Sequence, residues 1–149
     1  MAGVALDGYT LAQSKKSSHV NYTERYVYGY DQWGRPLYTT DSYNSDAKID
    51  GTVKASSSTH VKVNGVSVLV QSDQTTETWV ADPDPYPHRG GTIISVSPGR
   101  SGSGSGTVQN SNCHVFINGQ PIALNGTAVT TSLGNSTTIN QGSDFVFVI

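Results

Sequence analysis

Apolar residues in this chain recur at every second position or in short continuous runs, and no stretch of ten or more residues shows helical periodicity. Tyr26-Val27-Tyr28-Gly29-Tyr30 alternates as a strand with one aromatic face would. Asp31-Gln32-Trp33-Gly34 carries turn residues, and a second extended run, Pro36-Leu37-Tyr38-Thr39-Thr40, follows it. These segments predict a hairpin whose tyrosines can stack across the strands.

The second half holds an internal duplication. Gly51-Thr52-Val53 leads to Thr59-His60-Val61-Lys62-Val63-Asn64-Gly65 and then to Val66-Ser67-Val68-Leu69-Val70. Gly106-Thr107-Val108 leads in the same way to Cys113-His114-Val115-Phe116-Ile117-Asn118-Gly119 and then to Gln120-Pro121-Ile122-Ala123-Leu124. In each copy an apolar strand ends in Asn-Gly, which accepts the positive φ of a type I′ turn, and a second apolar strand follows. Each copy is predicted to be a β-hairpin.

Between the copies, Ala81-Asp82-Pro83-Asp84-Pro85-Tyr86-Pro87 has three prolines in five residues. Proline removes backbone donors and fixes φ, so the segment reads as an extended connector. Residues 98–106, Pro98-Gly99-Arg100-Ser101-Gly102-Ser103-Gly104-Ser105-Gly106, read as a flexible low-complexity loop inserted between strands. The closing run Asp144-Phe145-Val146-Phe147-Val148-Ile149 is apolar on both faces, which predicts a buried strand or an interface.

Composition narrows the class. A chain of 149 residues is the size of one domain, and with 35% apolar and 13% charged residues its polarity comes from Ser, Thr, Asn, Gln and Gly. The expectation is one all-β domain over 1–149, with an aromatic-rich hairpin region at 1–50 and the duplicated hairpins at 51–149. A net charge of -2 without runs of Lys or Arg argues against a nucleic-acid partner, and no apolar segment reaches the roughly 18 residues of a membrane-spanning helix. Met1 to Asp7 has neither the basic start nor the apolar stretch of a signal peptide, and a single Cys113 excludes an internal disulfide, so synthesis in the cytoplasm is expected.

The duplicated hairpin resembles the PAAR family, the sharpened tips mounted on the spikes of contractile injection machines. Members carry a strand opening with a His-Gly-Gly-Thr-type element, then Gly-Ser-Pro, then a strand of the form Val-Phe-Val-Asn-Gly-Lys-Pro-Ala-Ala. His88-Arg89-Gly90-Gly91-Thr92-Ile93-Ile94-Ser95-Val96-Ser97-Pro98 is similar to the first part. Val115-Phe116-Ile117-Asn118-Gly119-Gln120-Pro121-Ile122-Ala123-Leu124 is similar to the second, and residues 51–70 resemble a diverged copy. The chain departs from the pattern in the glycine-rich insertion, in Arg89, and in lacking the Gly-Asp and Cys that often trail the motif. Ser105-Gly106-Thr107-Val108 is an alternative occupant of the glycine-strand role, which would leave His88 in a loop.

The resemblance implies a small cone of short strands and hairpins with pseudo-threefold arrangement, whose base caps a homotrimeric β-helical spike at the tip of a baseplate, phage tail or type VI secretion system. Its partners would be that spike and the target cell envelope, and its work membrane piercing without catalysis. The duplicated hairpins would form two sides of a three-sided base, with a segment from residues 1–43 as the third. Family members commonly hold zinc with three His and one Cys near the apex. The candidate ligands here are His19, His60, His88, Cys113 and His114, with His60, His88, Cys113 and His114 as the expected set. Adjacent residues on a strand point to opposite faces, so Cys113 and His114 are not expected to share one ion unless the strand starts between them.

No nucleophile elbow, Walker or Rossmann fingerprint occurs, and Asp82 with Asp84 lies in the Pro-rich connector, so an enzyme is not expected. The competing reading is a β-sandwich carbohydrate- or surface-binding module that stacks its ligand on Tyr26, Tyr28, Tyr30 and Trp33. Exposed aromatics would support it, and aromatics packed in a hairpin core would weaken it.

Overall fold

The computed structural model describes residues 2–56 and 61–149, and every regular element among them is a strand. β1 (Ala2–Gly3) precedes two long strands, β2 (Ser14–Tyr30) and β3 (Pro36–Lys54), and then a short pair, β4 (Lys62–Val63) and β5 (Val66–Ser67). β6 (Gln74–Asp82), β7 (Thr92–Ser97), β8 (Ser101–Gly104) and β9 (Thr107–Val108) lead to a second short pair, β10 (Phe116–Ile117) and β11 (Gln120–Pro121). β12 (Ala128–Thr130), β13 (Ser136–Thr138) and β14 (Phe147–Val148) follow. Hydrogen bonding runs in the order β13-β12-β9-β6-β3-β2-β7 with β8 also on β6, while β4-β5, β10-β11 and β1-β14 form two-stranded ribbons. The all-β expectation holds.

The chain packs as two compact units, residues 1–14, 49–78 and 103–149 in the first and residues 15–48 and 79–102 in the second. Residues 1–14 therefore belong with the duplicated hairpins, and residues 79–102 with the aromatic hairpin.

Three copies of one motif surround a pseudo-threefold axis in the first unit. The Ala5 N–H donates to the Ala123 carbonyl at 2.9 Å, the Ala123 N–H to the Leu69 carbonyl at 2.8 Å, and the Leu69 N–H to the Ala5 carbonyl at 3.0 Å, which closes a ring. The bridges Val4↔Leu124, Leu6↔Val68 and Val70↔Ile122 obey the same rotation. Each central segment then turns on a residue of positive φ, Gly8, Ser72 or Gly126, whose N–H donates to Val53, Val108 or Ile139 respectively. Strand alternation sends the middle residues Ala5, Leu69 and Ala123 into one cluster with Leu11, Val53, Val108, Val129 and Ile139. Their neighbours Val4, Leu6, Val68, Val70 and Ile122 join a second. One leucine and two alanines meet at the centre, so Leu69 fills the space that the two small residues leave. Each fully buried aliphatic side chain there stabilises the fold by about 1.5–3 kcal/mol.

Each central segment is entered through a ribbon. In β4-β5 Val63 pairs with Val66 across Asn64-Gly65 (φ 50° and 81°), and in β10-β11 Ile117 pairs with Gln120 across Asn118-Gly119 (φ 51° and 80°). Both predicted hairpins and both turns are present. In the third ribbon Val148 of β14 pairs with Ala2 of β1, in the position that Val63–Val66 and Ile117–Gln120 hold. The third side is thus shared between the N-terminal segment and Val146-Phe147-Val148, where the sequence suggested residues 1–43 alone.

The second unit contains most of the long β2-β3 hairpin. Its tip is set by Asp31, whose Oδ1 accepts the N–H groups of Trp33 (2.8 Å) and Arg35 (2.9 Å), with Gly34 at φ 77°. The predicted turn is correct. The Pro-rich connector follows β6 as non-strand chain, and β7 pairs with β2 from Asn21↔Ser97 to Arg25↔Thr92.

The expectation of a flexible loop at 98–106 is overturned, because Ser101–Gly104 is strand β8 on β6 and β9 starts at Thr107. Ser101, Ser103 and Ser105 are exposed, whereas Gly102, Gly104 and Gly106 alternate with them on the inner side. A Cβ at Gly102 would come within 2.6 Å of the Trp79 indole nitrogen, so glycine is the residue that lets this strand lie against the ring.

Candidate functional site

The pseudo-threefold axis of the first unit ends in an apolar depression of about 200 Å³. Its floor is Val4, Val68 and Ile122, all buried, and its rim is Val61, Val115 and Val146, with Val63 and Ile117 between. Floor and rim are related by the motif's own rotation. The N–H of each floor residue donates to one rim carbonyl, Val68 to Val61, Ile122 to Val115 and Val4 to Val146, each at 3.0 Å. Val115 and Val146 are each 41% exposed, and Phe116, Phe145, Phe147 and Ile149 stand exposed on the same ribbons and their flanks. The closing run is therefore not buried within the described chain: its backbone is held by the Phe147–Val148 pairing and by the Val4 N–H on the Val146 carbonyl, and the side chains of Phe145 and Ile149 face solvent. The partly exposed valines around this depression mark a contact surface, while Phe147 lines a separate depression with Ala2, Gly3 and Gly142.

Sequence reasoning missed Val4, and it marked the closing run with Val146 as a buried strand or interface without joining it to this site. The signal was present: Val4-Ala5-Leu6-Asp7-Gly8 matches Ile122-Ala123-Leu124-Asn125-Gly126, and Val146-Phe147-Val148 matches Val115-Phe116-Ile117. The two pieces lie at opposite ends of the sequence, so a linear search for repeats does not join them.

The metal candidates are dispersed. Cys113 is buried in the apolar cluster of the first unit, and its Sγ accepts the Val115 N–H at 3.4 Å. His114 is exposed, in keeping with the opposite facing of adjacent residues. His88 and His19 belong to the second unit, where His19 packs edge-on against Trp79 with centroids 4.8 Å apart. His60 lies outside the described residues. Among the described residues no group of three or more His, Cys, Asp or Glu side chains is placed to hold a metal ion.

His88 stands in a loop, as the alternative alignment implied. Its ring stacks between Tyr43 (3.8 Å) and Tyr86 (4.2 Å), and its Nε2 lies 2.6 Å from the Tyr22 hydroxyl. Beneath it is Glu24, fully buried, whose carboxylate accepts the backbone N–H groups of His88 (2.9 Å), Arg89 (3.0 Å) and Gly91 (2.8 Å) and the Tyr43 hydroxyl (3.3 Å). Burial alone would push this carboxyl up, but the three backbone donors and the phenol outweigh it and hold it below the usual carboxylate range. Burial, with Asp41 accepting its hydroxyl, pushes the Tyr26 phenol up. This cluster clamps the connector onto β2 and β3 through the Glu24 carboxylate and the stacked His88 ring. Asp82 and Asp84 each pair with a separate cation, Lys15 and Arg100, both at 2.9 Å, so they do not form a carboxylate pair.

Comparison with protein-family models, with curated proteins and with solved structures finds no match for this chain.

Proposed function

We propose that this chain is a spike tip, and that the three-sided apolar end of its first unit seats on the end of a homotrimeric β-helical spike. The observation that carries the reading is the closed hydrogen-bond ring of Ala5, Leu69 and Ala123 with its three ribbons. A single chain can meet three identical subunits with like contacts only if it repeats its own contact surface three times about an axis. Here one chain does so, and the repeated surface is aliphatic, as the centre of a stable interface requires. A net charge of -2 gives little electrostatic steering, so contact area and shape carry the affinity. The PAAR-like strand Val115 to Leu124 is one of the three sides. The reading needs rigidity rather than chemistry: force delivered along the axis would load a core of interlocked aliphatic side chains. Piercing of the target envelope is the work this role implies.

The test is capture by the trimeric spike protein of the same injection machine. The intact chain is expected to bind, and Val115→Asp or Val146→Asp, each placing a charge on the rim, is expected to weaken capture at least about tenfold while leaving the circular dichroism spectrum unchanged. Undiminished capture by both variants would remove the axial end as the contact surface.

A further inference from the structure

The second unit carries a surface that the spike-tip reading leaves unused. Around the β2-β3 turn, Tyr28, Tyr30 and Trp33 are 62%, 69% and 70% exposed. The turn beneath them is fixed: besides accepting two backbone N–H groups, Asp31 takes the Arg35 Nε at 3.0 Å. That guanidinium lies 4.8 Å from the Trp33 ring, and the Arg25 guanidinium lies 3.9 Å over the exposed ring of Tyr38. Such rings offer a large contact area at little cost in conformational entropy, because two torsions define each of them.

We infer that this hairpin tip is a glycan-stacking platform whose ligand is an uncharged oligosaccharide of pyranose units. The C–H face of a pyranose is apolar and flat enough to lie on an aromatic ring, while its hydroxyls find partners in the phenols of Tyr28 and Tyr30 and in the neighbouring Gln32. Two observations favour a glycan over a lipid bilayer. Val27 is the one residue among Val, Leu, Ile, Phe and Met in residues 25–36, so the tip offers a single short aliphatic side chain to acyl chains. Of its two arginines Arg35 is paired with Asp31, which leaves the single charge of Arg25 for anionic headgroups, far short of a polybasic cluster. The inference is independent of the role given to the first unit.

Trp33 and Trp79 are the chain's two tryptophans, and Trp79 is only 6% exposed, so a change in tryptophan emission on adding ligand reports chiefly on the tip. The intact chain is titrated with chitohexaose, cellohexaose, maltohexaose and mannohexaose, and in parallel with vesicles of phosphatidylcholine alone or mixed with phosphatidylglycerol. At least one hexasaccharide is expected to bind saturably. In isothermal titration calorimetry, which does not need the Trp33 reporter, Trp33→Ala and Tyr30→Ala should each weaken it about tenfold or more, Tyr30→Phe should retain most of it because the ring remains, and Ile94→Ala, on β7, should change nothing. Circular dichroism confirms that each variant is folded. No saturable binding of any of the four sugars, binding unaltered by both alanine variants, or an emission shift with vesicles alone would overturn the proposal.

Discussion

The two units are made of the same antiparallel strands but are held together by different means. In the first, aliphatic side chains from three copies of one motif converge on an axis, and a closed ring of backbone hydrogen bonds sets their register. In the second, a carboxylate, three tyrosines and a histidine clamp a proline-rich connector onto a hairpin, and the far end of that hairpin is left bare. Symmetry lets short strands of two or three residues build a core that none could build alone. Without it, the second unit depends on a strand pair of unusual length and on a buried carboxylate with its hydrogen-bond donors.

The contrast is sharpest at the axis. Leu69→Ala would leave three alanines around the centre and is expected to cost about 2–5 kcal/mol in urea unfolding. A loss under about 1 kcal/mol would mean that the axial cluster is not what holds the first unit. Gly102→Ala tests whether the glycine-rich segment is a packed strand. A Cβ pressed against Trp79 should cost about 1–3 kcal/mol, while Ser101→Ala, exposed one residue away, should stay within about 0.5 kcal/mol. Equal and negligible effects would mark the segment as a loop.

The smallest and most pH-specific effect belongs to Glu24. Its carboxyl is held low in the folded chain, so the stability it contributes is fully present above the unfolded value of about 4.3 and is lost as pH falls through the lower folded value. Near-ultraviolet circular dichroism of the tyrosines should therefore weaken below about pH 4. Glu24→Gln should show the weaker signal already at pH 7 and little further change on acidification. A variant that matches the parent across this range would show that the carboxylate is not the clamp.

Much of this was legible in the residues. The two Asn-Gly dipeptides specify their turns locally, and Tyr26 to Thr40 carries both its alternation and its turn chemistry in one continuous stretch. The third side of the axial site was obscured because Val4 and Val146 belong to one ribbon yet lie at opposite ends of the sequence. Ser101 to Gly106 was misread for another reason: it alternates with a period of two, but the inward residue is glycine, and apolar periodicity cannot register a strand whose inward positions carry no side chain, as at Gly102 against Trp79. The clamp on Glu24 left no motif, since its donors are backbone N–H groups that any residue supplies.

Native mass spectrometry of this chain purified with the trimeric spike proposed as its partner tests the central claim most directly. Three repeated sides within one chain predict a complex of three spike chains to one tip chain, lost on Val115→Asp. A 3:3 complex, in which each spike subunit takes its own copy, or the absence of any complex, would contradict the account.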